Sequence, residues 1–267
     1  MNIGFIGAGN MGGAVLLAAA RSGLVAPEEI FICRRHPEKG TEGLPEGVRL
    51  LPGAKAVAER CERIVLAVKP QQAGVVLKEM GEALAGRFVL SVMAGWDFAR
   101  LKAALPEDAR VLPVMPNTPL SVGAGMTLFS EKTDATKEEL SWAWDLFSSA
   151  GRVETVPEIT FNAANAVSGC GPAFAYLFAE ALADGTVAGG LPRETAYRLA
   201  GQMLVGAGRM ILESGKHPGA LKDAVCSPGG STIRGIYALE KGGLRAAAMD
   251  AVAAVIARTE EMSSAGK

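Results

Sequence analysis

Three glycines with the spacing G-x-G-x-x-G, at Gly7, Gly9 and Gly12, are the first residues that could do chemistry. They directly follow the apolar run Ile3–Ile6 and precede a helical stretch. In this context Gly7 permits a tight turn, Gly9 lets a pyrophosphate approach the backbone, and Gly12 lets the helix pack on the strand. The helix N-terminus offers free N–H groups to the phosphates. The pattern predicts a dinucleotide site that includes Ile6, Gly7, Ala8, Gly9, Asn10, Met11 and Gly12.

The residues after the second predicted strand indicate which dinucleotide binds. That strand ends at Cys33, and Arg34 and Arg35 follow it. An NAD-preferring site usually has an acid here, about 20 residues beyond the glycines, to bind the ribose 2′-hydroxyl. Two guanidinium groups suit a 2′-phosphate instead. We therefore expect NADPH, with NADH as the alternative cofactor. A solvated basic turn is the other interpretation of the two arginines.

Two further segments are expected at the carboxyl ends of strands, where ligands bind in open α/β sheets. They consist of Ala67, Val68, Lys69 and Pro70, and of Met93, Ala94 and Gly95. Small residues at these places would let the nicotinamide ribose lie close to the backbone. The other interpretation of Lys69 is a charge at the start of a helix.

A segment rich in hydroxyls and glycine near the end of the chain could hold an anion. It contains Ser227, Gly229, Gly230, Ser231 and Thr232, and it leads into a short helical stretch. The backbone N–H groups of such a turn form a nest for a carboxylate. An ordinary loop with a Ser or Thr N-cap explains the same residues, so both interpretations are open. Hydride transfer to an activated acceptor mainly requires positioning, which an anion clamp would supply.

The elements that must position these residues begin as an alternation of short apolar runs and helical stretches. Short β-branched runs bounded by Gly, Pro or charge predict strands that are buried on both faces of a parallel sheet. The predicted strands are Ile3–Ile6, Ile30–Cys33, Ile64–Val68, Phe88–Val92, Val111–Val114, Gly125–Phe129 and Arg152–Val156. We therefore predict an α/β fold whose N-terminal domain, residues 1–157, is a Rossmann-type, doubly wound, mostly parallel sheet.

Residues 158–267 have no strand pattern and predict an all-α C-terminal domain. One predicted helix follows Pro172, a second spans Arg193 to Ser214, and a third runs from Leu244 toward Met262. These helices are apolar and rich in Ala and Gly, which lets helix axes approach closely. Without a sheet to cover them they could bury more surface against a second chain. We expect dimerisation through this domain.

The composition narrows the class of protein further. A net charge of −1 without runs of like charge argues against a nucleic-acid partner. We find no secretory leader and expect no apolar run of the ~20 residues that a membrane span needs. Four cysteines without a CxxC pair predict reduced thiols in the cytoplasm. The two histidines, His36 and His217, lie far apart in the sequence, so no metal site is expected.

Taken together, the motifs resemble the pyrroline-5-carboxylate reductase family over essentially the whole chain. The resemblance rests on Gly7–Gly12, on Ala67-Val68-Lys69-Pro70, on Met115-Pro116-Asn117-Thr118-Pro119 and on Ala166-Val167-Ser168-Gly169-Cys170-Gly171-Pro172-Ala173. The most specific stretch runs from His217-Pro218 through Leu221-Lys222-Asp223 to Ser227-Pro228-Gly229-Gly230-Ser231-Thr232-Ile233.

This resemblance implies the last step of proline biosynthesis, the reduction of the cyclic imine 1-pyrroline-5-carboxylate to L-proline by NAD(P)H. It implies that the turn from Ser227 to Thr232 holds the substrate carboxylate. It further implies that Thr232 faces the ring nitrogen, as the catalytic residue, and that Glu158 lies near the substrate. The helical domain is implied to form an interlocked homodimer, often assembled further into a decamer.

Three positions depart from the family pattern. Cys170 stands where Ser is usual, and Cys226 stands where Ser or Thr is usual. Phe174 stands where Tyr is common. None of these changes removes a presumed substrate contact. Cys226 borders the clamp, so it could adjust affinity, and small packing residues are the other interpretation of both cysteines.

Two other classes of protein remain open. A 3-hydroxy-acid dehydrogenase also joins a Rossmann domain to a helical domain, but it needs a base, for which Lys222 is the candidate. A non-catalytic NADP-sensing regulator would keep Gly7–Gly12 but would not need the clamp from Ser227 to Thr232.

Overall fold

The computed structural model describes residues 1–264, without the side chains of 263 and 264, and it forms two compact units. The first unit comprises Met1–Cys170 and the chain from Ile256 onward, and the second comprises Gly171–Val255. The two units divide after Cys170. The expected boundary between folding domains, between residues 157 and 158, stays a prediction.

The first unit contains one eight-stranded sheet with the strand order β3-β2-β1-β4-β5-β6-β7-β8. Neighbouring strands are parallel except for β6 and β7, which are antiparallel. The expected mostly parallel, Rossmann-type sheet is thereby confirmed. The strands are β1 (Ile3–Ile6), β2 (Ile30–Cys33), β3 (Arg49–Leu50), β4 (Arg63–Leu66), β5 (Phe88–Ser91), β6 (Arg110–Met115), β7 (Gly125–Ser130) and β8 (Gly151–Val156).

The helices follow the strands in the first part of the chain and are consecutive after β8. They are α1 (Asn10–Ser22), α2 (Ala54–Arg60), α3 (Pro70–Met80), α4 (Phe98–Ala104), α5 (Lys137–Ser148), α6 (Glu158–Ser168), α7 (Gly171–Ala188), α8 (Arg193–Ser214), α9 (Pro218–Ala224), α10 (Ser231–Lys241) and α11 (Leu244–Ser264). Short 3-10 turns lie at Pro27–Glu29, Pro37–Lys39, Gly81–Leu84 and Thr118–Val122.

Two apolar layers cover the two faces of the sheet, as the strand pattern predicts. On β1, Ile3 and Phe5 belong to the layer that contains α1 and α5, whereas Ile6 belongs to the layer that contains α2 and α3. Gly4 lies on the second face, where an added Cβ would be 2.3 Å from Val57 Cγ1 on α2. The absence of a side chain at Gly4 therefore lets α2 pack directly on the central strand.

The sequence patterns missed several elements, among them a strand and a helix of the first unit. Strand β3 pairs only Arg49 and Leu50 with β2, and two residues are too few to have a period. Helix α6 was given no assignment, although Pro157 and Glu158 at its start are typical of a helix N-terminus. Strands β1 and β2 were predicted with the bounds that the structure has, and the ends of β4 to β8 differ from the predicted ends by at most two residues.

The second unit is helical and exposes many large apolar side chains. On α7 and α8 these are Phe174, Tyr176, Leu177, Tyr197, Leu199, Met203, Val205, Met210, Ile211 and Leu212.

One helical stretch, Glu158–Ala188, is long and apolar enough to cross a membrane by length and composition, and only 11% of its most apolar window is buried. The expectation that no run reaches this length is therefore wrong. Exposed apolar helices of this kind are what a protein–protein interface requires.

A buried carboxylate joins α5 to the sheet. Both oxygens of Glu139 accept from Arg110 Nε at 3.0 Å, and Oε2 also accepts from the Thr136 backbone N–H at 2.8 Å. Burial raises the pKa of Glu139, but these hydrogen bonds outweigh it and hold the pKa below the ordinary value of 4.5. The ionised form therefore stabilises the fold above the unfolded-state pKa, and that stability is lost as the pH falls through the folded-state pKa.

We predict that Glu139→Gln lowers the free energy of unfolding at pH 7 by about 1–3 kcal/mol, because Arg110 loses its charged partner. Urea unfolding at a series of pH values measures this difference, which should shrink below pH 4.5. Asp145→Asn, at an exposed position on the same helix, is the matched control, with an expected change within about 0.5 kcal/mol. Equal losses in both variants, or a loss independent of pH, would contradict this role of Glu139.

Candidate cofactor and substrate site

The carboxyl ends of the parallel strands meet at one edge of the sheet. The register pairs Ile6 on β1 with Cys33 on β2 and with Leu66 on β4, and Leu66 with Ser91 on β5. The loops that follow these four residues therefore lie side by side. The strand order reverses between β1 and β4, and ligands of open α/β sheets bind in the crevice at such a reversal.

Each of the three glycines at this edge has a different steric role. Gly7 has a φ of +98°, and its Cβ would lie 2.7 Å from the carbonyl oxygen of Ala67. At Gly12 a Cβ would lie 2.1 Å from the carbonyl oxygen of Gly7. At Gly9 a Cβ would meet nothing within 4 Å. Gly7 and Gly12 are thus required by the protein itself, whereas Gly9 borders open space that a ligand can use.

The N-terminus of α1 is free to bind an anion. Its N-cap residue is Gly9, and no side-chain cap hydrogen bond is present among the described residues. The first turn of the described helix also contains no acidic residue. The backbone N–H groups of this turn and the helix dipole are therefore available to a phosphate. The open space beside Gly9 and the uncapped helix together fit the pyrophosphate of a dinucleotide.

The end of β2 presents one half-buried and one exposed arginine. Arg34 is partly buried, and its Nε is enclosed without a hydrogen-bond partner among the described residues. Arg35 is exposed. Burial raises the pKa of the preceding Cys33 to about 11, so that thiol is protonated near neutral pH. The charge at the end of β2 is therefore positive, which suits a phosphate.

The loops after β4 and β5 complete this edge. Lys69 is the exposed N-cap of α3, in agreement with its interpretation as a helix-start charge. Gly95 has a φ of +73°, and its carbonyl oxygen accepts from Arg100 Nη1 at 3.1 Å. The Arg100 guanidinium also lies 4.2 Å from the ring centroid of the buried Trp96. Trp96 and Arg100, which the sequence analysis did not single out, hold the loop that contains Met93, Ala94 and Gly95.

A cavity of about 300 Å³ opens beside this loop, within the first unit. Its lining includes Met93, Gly95, Met115 and, from the start of α6, Glu158. Glu158 Oε2 is 2.6 Å from Lys132 Nζ, and this contact raises the pKa of Lys132. The sequence-predicted Glu158 is therefore an ion-paired carboxylate at the same sheet edge as the predicted cofactor contacts.

The remaining predicted site residues belong to the second unit. Gly229 has a φ of +69°, and a Cβ at Gly230 would lie 2.3 Å from Ser227 Oγ. The Gly230 N–H donates to the Ser227 carbonyl oxygen at 3.0 Å, and Gly230 is the N-cap of α10 without a side-chain cap. Thr232 lies in the first turn of α10 and is exposed. Ser227 to Thr232 thus form a compact turn that leads into a helix start without a side-chain cap among the described residues, as the anion-clamp hypothesis requires.

The structure thus brings the predicted cofactor residues together at one sheet edge with Glu158, and it groups the clamp residues in one turn. That the turn from Ser227 to Thr232 lies next to the cofactor residues at the sheet edge stays a prediction. The sequence analysis missed Lys132, Trp96 and Arg100, because a lone charge or an aromatic residue after a strand has no distinctive pattern.

These features define a dinucleotide-binding α/β protein of the oxidoreductase type with a helical second part. Two family models match two separate regions of the chain. Residues 2–95 match a model described as NADP oxidoreductase, coenzyme F420-dependent. Residues 158–262 match a model described as pyrroline-5-carboxylate reductase dimerisation, so the helical part is of an oligomerising type.

Relatives of the same name cover nearly the whole chain. A pyrroline-5-carboxylate reductase of Escherichia coli K12 is 38% identical, over 98% of both chains. One of Glycine max is 41% identical, over 98% of this chain and 96% of the relative. The chain belongs to the pyrroline-5-carboxylate reductase family.

Solved structures agree with this assignment. A pyrroline carboxylate reductase of Plasmodium falciparum, solved with NADP bound, has 32% sequence identity and a TM-score of 0.89, over 98% of both chains. A pyrroline-5-carboxylate reductase of Coxiella burnetii has 32% identity and a TM-score of 0.84, over 97% of both chains. The resemblance that the sequence motifs indicate is confirmed.

We predict that Gly9→Ala leaves the melting temperature within about 2 °C of the wild type but lowers dinucleotide affinity at least tenfold, because its Cβ enters the open space beside α1. Gly12→Ala should instead lower the melting temperature, because its Cβ meets the Gly7 carbonyl. Differential scanning fluorimetry and fluorescence titration with NADPH measure the two effects. A Gly9→Ala variant with wild-type affinity would show that no phosphate lies beside Gly9.

Proposed function

We propose that this protein reduces 1-pyrroline-5-carboxylate to L-proline with NADPH, the last step of proline biosynthesis. The observation that carries the proposal is the cradle formed by Gly7, Gly9 and the N-terminus of α1, in a chain that matches the family over 98% of its length. The nicotinamide of the bound cofactor supplies a hydride. The protein then has to bind the two reactants, orient them and exclude water.

Arg34 and Arg35 select NADPH over NADH in this proposal. The enclosed Nε of Arg34 has no partner among the described residues, and a guanidinium in that state gains from a phosphate oxygen. Arg35 adds exposed positive charge next to it. NADH remains a usable cofactor because the cradle for the pyrophosphate does not depend on these side chains.

The double variant Arg34→Ala, Arg35→Ala should lower the ratio of kcat/KM for NADPH to kcat/KM for NADH. Each well-formed charge-assisted contact to the 2′-phosphate contributes about 1.5–3 kcal/mol. Steady-state kinetics with both cofactors measure the ratio, and the two single variants show which arginine matters more. An unchanged ratio in the double variant would contradict the assignment of these residues.

The substrate carboxylate is held by the turn from Ser227 to Thr232 in this proposal. The left-handed backbone of Gly229 and the uncapped start of α10 orient N–H groups toward one point, and an anion there is stabilised by the helix dipole. The Thr232 hydroxyl faces the ring nitrogen, and Glu158 lies near the substrate. The substrate accepts hydride as a protonated iminium, because a positive nitrogen attracts hydride far better than a neutral imine does.

Such a reaction needs no strong general base, which separates it from the oxidation of a 3-hydroxy acid. Lys222 is the candidate base for the latter, but its ammonium group is bonded to Asp223, and this contact raises the pKa of Lys222. A lysine acts as a base near neutral pH only when its pKa is lowered. The charge state of Lys222 therefore supports the imine reductase over the hydroxy-acid dehydrogenase.

We predict that Thr232→Ala lowers kcat/KM for the imine roughly 10- to 100-fold without a change in NADPH affinity, and that Thr232→Ser recovers part of the loss. Lys222→Ala is the matched variant and should be mild. The assay follows NADPH absorbance with 1-pyrroline-5-carboxylate, with 3-hydroxy acids and NADP⁺, and with neither substrate. An inactive Lys222→Ala enzyme beside a normal Thr232→Ala enzyme would favour the hydroxy-acid dehydrogenase, and a protein that binds NADPH but turns over nothing would favour the regulator.

The active form in this proposal is a homodimer joined through the helical part, which assembles into a larger oligomer such as a decamer and works in the cytoplasm. The exposed apolar side chains of α7 and α8 support the dimer, because an isolated chain would leave them in water. The four cysteines are free thiols, as a reducing compartment requires.

A further inference from the structure

Two motifs that carry no assigned role meet at the cavity beside the Met93–Gly95 loop. The motif Met115–Pro119 begins at the last residue of β6, and the motif that begins at Ala166 contains the end of α6. Met115 and Cys170, from these two motifs, both line the cavity. Since the cavity lies on the β5 and β6 side of the crevice, it is on the opposite side of β1 from Arg34.

One face of α6 supplies polar side chains to this cavity. Glu158, Phe161, Asn162 and Asn165 all line it, and their spacing of three, four and seven residues places them on the same side of the helix. Glu158 is paired with Lys132, so its charge is already compensated. The two amides are neutral and can both donate and accept hydrogen bonds.

Asn165 has an unmet hydrogen-bonding capacity at this place. Its Oδ1 is buried without a hydrogen-bond partner among the described residues. The side chain lies against Gly169, where a Cβ would be 2.1 Å from Oδ1, so the space for the amide depends on that glycine. Rotation of the amide about χ2 exchanges its two ends, and either a donor or an acceptor can then face a ligand. A buried, unsatisfied amide oxygen in a cavity wall needs an explanation, and a bound ligand is one that the cavity offers.

Asn117 keeps the end of α6 in position. It is 6% exposed, its Nδ2 donates to the Ser168 carbonyl oxygen at 2.8 Å, and its Oδ1 accepts from the Met126 N–H at 2.9 Å. These bonds tie the end of α6 to β7 within the first unit. Asn165, one helical turn before Ser168, is therefore held in a fixed place relative to the sheet.

We propose that the Asn165 amide hydrogen-bonds the carboxamide of bound nicotinamide and so fixes the orientation of the ring; the inference rests on the proposed function. A dinucleotide whose pyrophosphate lies at Gly9 and whose 2′-phosphate lies at Arg34 extends its other end toward β4 and β5. The described residues that line the cavity include no basic side chain, so an anionic carboxylate has no partner there. A neutral carboxamide, which carries one donor and one acceptor group, matches an asparagine.

This contact would determine which face of the ring is presented to the substrate. The nicotinamide ring can rotate about its bond to the ribose, and one hydrogen bond at the carboxamide is enough to favour one orientation. Asn165 is therefore assigned to cofactor orientation, separately from the carboxylate clamp and from the arginines at the end of β2.

Calorimetric titration of Asn165→Leu, Asn165→Asp and wild type with NADP⁺, NADPH and adenosine 2′,5′-bisphosphate tests the inference. The bisphosphate contains the adenosine end of the cofactor but no nicotinamide. Asn165→Leu should lower NADP⁺ affinity roughly three- to tenfold, as expected for one hydrogen bond, and leave bisphosphate affinity unchanged. Asn165→Asp should raise the ratio of NADP⁺ to NADPH affinity several-fold, because a carboxylate favours the cationic oxidised ring.

Arg34→Ala is the matched control at the other end of the cofactor, and it should weaken NADP⁺ and the bisphosphate by a common factor. The inference is overturned if Asn165→Leu weakens both ligands equally, if it weakens neither, or if Asn165→Asp leaves the NADP⁺ to NADPH ratio unchanged. It is also overturned if only the KM for the imine changes, which would place Asn165 at the substrate. A wild-type protein that fails to bind NADP⁺ would refute the proposed function itself, before any Asn165 variant is compared.

Discussion

The close contact between the start of α1 and the end of β1 is the constraint on which the cofactor edge depends. A Cβ at Gly12 would lie 2.1 Å from the Gly7 carbonyl oxygen and 2.9 Å from Ala67 Cβ, so the helix approaches the sheet edge too closely for a side chain at Gly12. Because of this contact, α1 begins directly above the carboxyl end of β1. Its free N–H groups then point to the edge where β2, β4 and β5 also end. The packing of α1 on the sheet thus also places its first backbone N–H groups where the proposed cofactor site needs them.

The fold was predictable where burial on both sheet faces leaves a clear trace in the sequence. Ile3–Ile6 and Ile30–Cys33 were predicted with the bounds that the structure has, because each strand is an apolar run ended by glycine or charge. Strand β3 was missed because its two residues are held by pairing with β2 rather than by a pattern of their own. The expectation that no apolar run is long enough to span a membrane was wrong for Glu158–Ala188, a stretch whose most apolar window is mostly exposed.

The candidate site was likewise predictable only in part. Gly7 and Gly12 were predictable because each has a steric reason that only glycine satisfies, and the structure places both in contacts that exclude a side chain. Asn117 and Asn165 could not be assigned a role from sequence, since an amide becomes informative only when its partners are known. The buried bonds of Asn117, and the Oδ1 of Asn165 that has no partner in the described part of the chain, are properties of the assembled sheet edge.

Two thiols and one lysine of this chain are in states that oppose reaction. Burial raises the pKa of Cys33 to about 11 and that of Cys61 to about 12, and the bond to Asp223 raises the pKa of Lys222. At neutral pH these groups are protonated and act neither as nucleophiles nor as bases. Hydride transfer to an iminium requires no such group, but it requires the donor and acceptor carbons to be aligned. The protonated states of Cys33, Cys61 and Lys222 are therefore compatible with hydride transfer, which depends on positioning rather than on a nucleophile or a base.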